Sequence, residues 1–132
     1  MAIRIVQLGQ PRARNEGLRL GTVRRPPRGV PKAEFAKRDY YDTWLPQLSP
    51  SADLVATALD AQKSGDAKAW QNFVKRFRAE MKESDAAHLL DMLAALSHQT
   101  DFSLGCYCED EAQCHRSVLR ELLEERKARI AG

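Results

Sequence analysis

All three cysteines of this 132-residue chain fall within nine positions, Cys106 to Cys114, and the residues on either side restrict what that stretch can become. Phe102 to Cys106 is a short apolar run, which reads as a buried strand. Val118, Leu119, Leu122 and Leu123 follow at helical spacing. Between the two runs, Glu109, Asp110 and Glu111 have no apolar anchor and read as a solvated loop. The expected order is strand, loop, helix. Period-two alternation puts Cys106 and Cys108 on one face of the strand's end and Tyr107 on the other, with Cys114 near the first turn of the helix.

Length bounds the rest. A chain of 132 residues, 43% hydrophobic and 30% charged, is expected to form one domain over residues 1–132 with a single core. No apolar run approaches the length of a membrane span and the N-terminus has no signal-peptide core, so a cytoplasmic protein without a membrane partner is expected. Three clustered cysteines do not suit a secreted disulfide framework, and in a reducing compartment they point to catalysis, redox chemistry or metal binding. Residues 1–50 carry ten Lys or Arg against four Asp or Glu, whereas residues 51–132 carry eleven against fourteen. The basic half, with Arg24, Arg25, Arg28 and Lys32, suits an anionic partner: a phosphate-bearing small molecule or a nucleic acid.

Along the chain, Ile3 and Ile5 mark a first strand and Leu18 to Val23 a second. The segment between them, Gly9 to Gly17, is too short for a crossover helix, which predicts an antiparallel return. Arg24 to Lys32 holds three prolines and a glycine and reads as irregular but stiff. Helical turns are expected over Glu34 to Lys37 and around Tyr41 to Leu45. A helix should open with Ser49 as N-cap and Pro50 as first residue and end near Gly65. Asp66 caps the most periodic segment, whose stripe Trp70, Phe73, Val74, Phe77 and Met81 reads as core. Ser84 or Asp85 opens a further helix through Leu96. The fold expected is α/β, a small mixed sheet of about three strands flanked by four to six helices. If the second and third strands are parallel neighbours, their C-terminal ends bring Arg24 and Arg25 to the same crevice as the cysteines.

Two chemistries fit that crevice. In the first, Cys114 is an activated thiol: a helix N-terminus and a neighbouring Arg116 or protonated His115 favour the thiolate. His115 is then the proton carrier, Cys106 a further catalytic thiol, and Arg116, Arg24, Arg25, Arg28 and Lys32 the anion-binding set. The preferred reading is an enzyme-like site of this kind, acting on an anionic ligand without a cofactor. In the second, Cys106, Cys108, Cys114 and His115 hold zinc in a binding module, with nucleic acid as a candidate partner, although their spacing departs from that of ordinary zinc knuckles. His88 reads as a boundary residue, and His98 has no partner in sequence.

The same stretches carry a family resemblance. Arg24 to Lys32 resembles the Arg-x-x-Pro-Arg-Gly-Val-x-Lys segment of domain-of-unknown-function family 488, whose short members are called YeaO-like. Trp44-Leu45 and Ser49-Pro50 resemble the segments that follow it there. Cys106 to Arg116 is similar to the Cys-x-Glu and Cys-His-Arg of the longer members, with Cys106, Cys114, His115 and Arg116 matching and Cys108 standing where Glu is common. The resemblance implies an α/β fold and attaches no established activity.

Overall fold

The computed structural model describes residues 1–131. Four strands, β1 (Ile3–Gln7), β2 (Leu18–Gly21), β3 (Thr43–Trp44) and β4 (Phe102–Cys106), form one sheet in the order β1-β4-β2-β3. Every pairing in it is parallel. Helices α1 (Ala52–Ser64), α2 (Ala67–Glu80) and α3 (Ser84–Leu96) precede β4, and α4 (His115–Glu125) follows it. The α/β class holds, but the sheet has four strands rather than about three and is parallel rather than mixed.

Central β4 explains the arrangement. All five of its residues are buried, as expected of a strand covered on both faces. One face carries Phe102 and Leu104 into the main core with Ile3, Phe73, Phe77, Leu90, Leu119 and Leu123, where the helices pack. The other face is covered by loop rather than helix. There Gly105 of β4 lies in register with Gly21 of β2. A Cβ at Gly21 would come 2.4 Å from the Tyr41 ring, and one at Gly105 2.3 Å from a methyl of Leu8. Two side-by-side glycines thus let the loop cover approach the sheet.

The antiparallel return expected for β2 is overturned, because β4 pairs in parallel with both β1 and β2 and so lies between them. Residues 8–17 recross the sheet without a helix, tied down by a buried ion pair beneath them. Arg19, 1% exposed, gives Nε and Nη2 to the Glu16 carboxylate at 2.7 and 3.1 Å. Its Nη1 bonds the carbonyls of Gln10 and Asp39, at 2.9 and 2.5 Å. Glu16 also accepts from the Ser103 hydroxyl of β4 and from the Ala13 N–H. Each buried charge is therefore partnered on several sides, as burial requires.

Two helical expectations also give way. Residues 34–45 are not helical beyond a 3-10 turn at Lys32–Glu34. Asp39 adopts a φ of 63°, which stops a helix, and Thr43–Trp44 then pairs with Leu20–Gly21 as edge strand β3. The cap of α1 is Ser51 rather than Ser49, its hydroxyl accepting from the Leu54 N–H at 3.4 Å. Ser49 instead turns its hydroxyl back onto the Pro46 carbonyl. Gly65 closes α1 in the left-handed conformation, and Asp66 caps α2 through the Lys68 N–H, both as the sequence indicates. No helix among the described residues is long and apolar enough to cross a membrane.

Candidate thiol site

β2 and β4 are parallel neighbours and end together, so the segments leaving them, with α1 as the opposite wall, enclose a cleft of about 420 Å³. Val55, Ala58 and Leu59 of α1 supply its apolar side. Cys106, Cys108, Cys114 and His115 form the facing wall, with Arg24 and Arg25 on the β2 side. Its position beyond the C-terminal ends of the strands is where ligands enter open α/β sheets. Gln62 of α1, which the sequence did not mark, reaches across to the Gln113 carbonyl and lies 3.9 Å from Cys108 Sγ. Its place one helical turn from Ala58 and Leu59 is the only sign of that role in the sequence.

The sulfurs are close and unbonded to one another: Cys106 Sγ lies 4.0 Å from Cys108 Sγ, and all three cysteines are free. Cys114 is the N-cap of α4, at the helix's positive end, and its side chain makes no capping hydrogen bond. Arg116 Nε–H donates to it at 3.3 Å. The neighbouring thiols of Cys106 and then Cys108, with Arg116 adding its backbone N–H and charge, hold Cys114 down to about 3 against the opposing effect of burial. The cost falls on those two thiols. Cys106 is pushed up by its contacts with Cys108 and Cys114 and by burial, and Cys108 is also raised. The three sulfurs titrate as one coupled set, in which the environment favours the charge on Cys114 over Cys106 or Cys108.

His115 is buried and not paired with that thiolate as an imidazolium. Its Nε2 lies 2.6 Å from the Thr22 carbonyl, which can only accept, so Nε2 carries the proton. Thr22 also gives its hydroxyl to the Gly105 carbonyl, joining the ends of β2 and β4 beneath the ring. Burial lowers His115 to about 4, leaving the ring neutral with Nδ1 bare, 3.6 Å from Cys114 Sγ. Phe77 of the α2 stripe braces the ring edge-on at 5.6 Å.

The basic residues divide. Arg116 is 2% exposed and gives Nη1 to the Val6 carbonyl and Nη2 to the Cys108 carbonyl, at 2.7 and 2.6 Å. Arg24 binds the carbonyls of Pro50 and Ser49. Arg25 is exposed on the cleft wall, and its side chain makes no hydrogen bond among the described residues. Arg28 lies with Pro26, Pro27, Tyr40 and Tyr107 in a neighbouring recess, and Lys32 in another beside Trp44. The structure thus brings Arg24, Arg25 and Arg116 to the thiols and keeps Arg28 and Lys32 apart. His88 is exposed, and His98 bonds the Lys127 carbonyl.

Cys106, Cys114 and His115 offer two sulfurs and Nδ1 within 4.8 Å of one another, a group that could hold a metal ion; Cys108 falls outside it. The model of the family DUF488-N3a, described as "Active DUF488-N3 subclade", matches residues 3–127. The chain belongs to the DUF488 family. The match spans β1 through α4, so this DUF488 chain carries strands, cleft and cysteine stretch inside the family's bounds. No curated protein and no solved structure matches it.

Proposed function

We propose that this DUF488 chain is a thiol-dependent enzyme acting on a ligand with an apolar body and an anionic group, and that Cys114 is its nucleophile. The observation that carries the reading is the Arg116 guanidinium N–H donating to Cys114 Sγ at 3.3 Å, with the Cys106 sulfur within 4.8 Å of it, at the wall of a cleft. That surrounding favours a thiolate, the reactive form of cysteine. A cleft of about 420 Å³ is of ordinary size for a small molecule, and its apolar α1 wall suits the ligand's body. Arg25, uncommitted within the fold, is the anion contact. Arg24 shapes the rim through its carbonyl bonds, and Arg116 acts on the sulfur rather than on the ligand.

In the reaction, Cys114 Sγ forms a bond to the ligand's electrophilic centre as the bond to the leaving group breaks. Cys108, a thiol lining the same wall, supplies the leaving group's proton. His115 Nδ1, bare and facing the sulfur, receives the proton of the water that later releases the acyl or phosphoryl group, the bond to Cys114 Sγ breaking as it does so, and that proton returns to Cys108 to restore the starting state. The description of the matching family as active agrees with a retained catalytic site.

The test is alkylation of metal-free protein with iodoacetamide across pH, read by peptide mapping. Cys114 is expected to be labelled ahead of Cys106 and Cys108, with a midpoint well below the free-cysteine value of about 8.5. Arg116→Lys should move that midpoint up. Labelling of Cys114 no faster than in denatured protein, with the free-cysteine midpoint, would refute the assignment.

A further inference from the structure

The same wall has the geometry of a soft-metal site, a property the thiol chemistry does not require. A tetrahedral zinc centre has Zn–S bonds of about 2.3 Å and Zn–N bonds of about 2.0 Å, which sets its S···N edges near about 3.5 Å and its S···S edges near about 3.8 Å. The edge from Cys114 Sγ to His115 Nδ1 is already 3.6 Å. The remaining edges lie within 4.8 Å, so closure needs movements of about 1 Å.

The surroundings match in three further respects. The Thr22 carbonyl fixes the His115 proton on Nε2 and leaves the Nδ1 lone pair toward the sulfurs, the kind of outer hydrogen bond that orients a ligating histidine. Arg116 Nε–H donates to Cys114 Sγ, as an outer-sphere donor to a bound thiolate would. Two thiolates offset a divalent ion, which limits the buried charge at a place where Cys106, Cys114 and His115 are each at most 7% exposed and Arg116 is already a cation beside them. The donor set of two sulfurs and one imidazole selects zinc over magnesium or calcium, which take oxygen ligands.

We propose that Cys106 Sγ, Cys114 Sγ and His115 Nδ1 bind Zn²⁺ as a three-ligand site, with the fourth coordination position facing the cleft and Cys108 outside the ligand set. Binding forms two Zn–S bonds and one Zn–N bond and releases the remaining thiol protons to solvent; nothing is oxidised or reduced. A bound zinc occupies the Cys114 lone pair and therefore switches off nucleophilic chemistry at that sulfur. Only this inhibitory consequence rests on the thiol-enzyme reading.

The experiment titrates full-length, untagged, metal-free protein with Zn²⁺ against a chromophoric chelator, with Co²⁺ as a spectroscopic substitute. The wild type should take up about one equivalent, and Co²⁺ should give thiolate charge-transfer bands with tetrahedral ligand-field intensity. Cys106→Ser and Cys114→Ser should each weaken Zn²⁺ binding by more than about tenfold, and Cys108→Ser by less than about threefold. Circular dichroism of each variant confirms that it is folded. Absence of stoichiometric binding by the wild type overturns the proposal, as does a loss in Cys108→Ser equal to that in Cys106→Ser. Zn²⁺ should also suppress iodoacetamide labelling of Cys114, with recovery on adding chelator. Stoichiometric zinc with an unactivated Cys114 in the metal-free protein would sink the enzyme reading and leave the metal site standing. An activated Cys114 with no zinc uptake would do the reverse.

Discussion

Removing Arg19 tests whether the buried ion pair beneath residues 8–17 holds the loop cover on the sheet. Arg19→Met keeps the length and apolar stem of the side chain. It strips the Glu16 carboxylate of its bonds at 2.7 and 3.1 Å, leaving it the Ser103 hydroxyl and the Ala13 N–H. It also frees the carbonyls of Gln10 and Asp39. Breaking one side of a buried pair costs about 3–5 kcal/mol. For a domain of this size that lowers Tm by about 10–20 °C. Arg19→Met combined with Glu16→Leu should recover part of the loss, since no charge is then stranded, but not the loop carbonyls that Arg19 bridged. Urea denaturation followed by circular dichroism gives both values, with an unchanged m-value as the sign that the two-state transition persists. Acid adds a second signature. Burial raises the Glu16 pKa, but its bonds from Arg19, Ala13 and Ser103 outweigh this and leave it lowered. The folded value lies below the unfolded one, so this contribution is present above the unfolded pKa of about 4.3 and is lost as pH falls through the folded value. Wild type should therefore lose more stability than the double variant below about pH 4. An Arg19→Met cost below about 1 kcal/mol, with the acid profile of wild type, would refute the role given to the pair.

Two other outcomes follow from the site's surroundings. His115 is lowered to about 4 by burial, below its unfolded value near 6.5, so its contribution is full above about pH 6.5 and is lost as pH falls toward 4. His115 should account for a loss of about 3 kcal/mol across that window in metal-free protein, beside the loss that the lowered Cys114 adds, and His115→Gln should reduce the slope by that share in urea titrations at stepped pH. Gly105→Ala places a Cβ 2.3 Å from Leu8 Cδ2 and 3.1 Å from Val6 Cγ2, and should cost about 1–3 kcal/mol in the same assay through displacement of Leu8.

The candidate site was more legible in the sequence than the sheet. Phe102–Cys106 is a strand and α4 begins at His115 because apolar spacing on either side of the acidic loop leaves little other choice. The stripe from Trp70 to Met81 packs as its periodicity requires, with Phe73 and Phe77 fully buried. What escaped the sequence was set by tertiary partners. A two-residue strand such as Thr43–Trp44 has too few positions to show alternation. The parallel course of β2 depends on a loop pinned by Arg19, and the trace it left was a charged residue between Leu18 and Leu20 with Glu16 three positions before. His115 is governed by a backbone carbonyl of Thr22, a group that no side-chain pattern reports. Its place in the first turn of the last helix put Arg116 among the anion contacts, whereas its guanidinium bonds the backbone of Val6 and Cys108 and the sulfur of Cys114.

The central claim is that Cys114 is a thiolate at neutral pH while Cys106 and Cys108 stay protonated. Thiolate absorbance in the far ultraviolet, recorded on metal-free protein from acid to alkaline pH, measures this without any added reagent. Wild type should show the signal of one thiolate already at about pH 6, persisting toward the value of about 3 that its neighbours Cys106, Cys108 and Arg116 favour, and folded Cys114→Ser should lack it. A signal that is absent at about pH 6 and rises only near the free-cysteine value of about 8.5, alike in both proteins, would contradict the account.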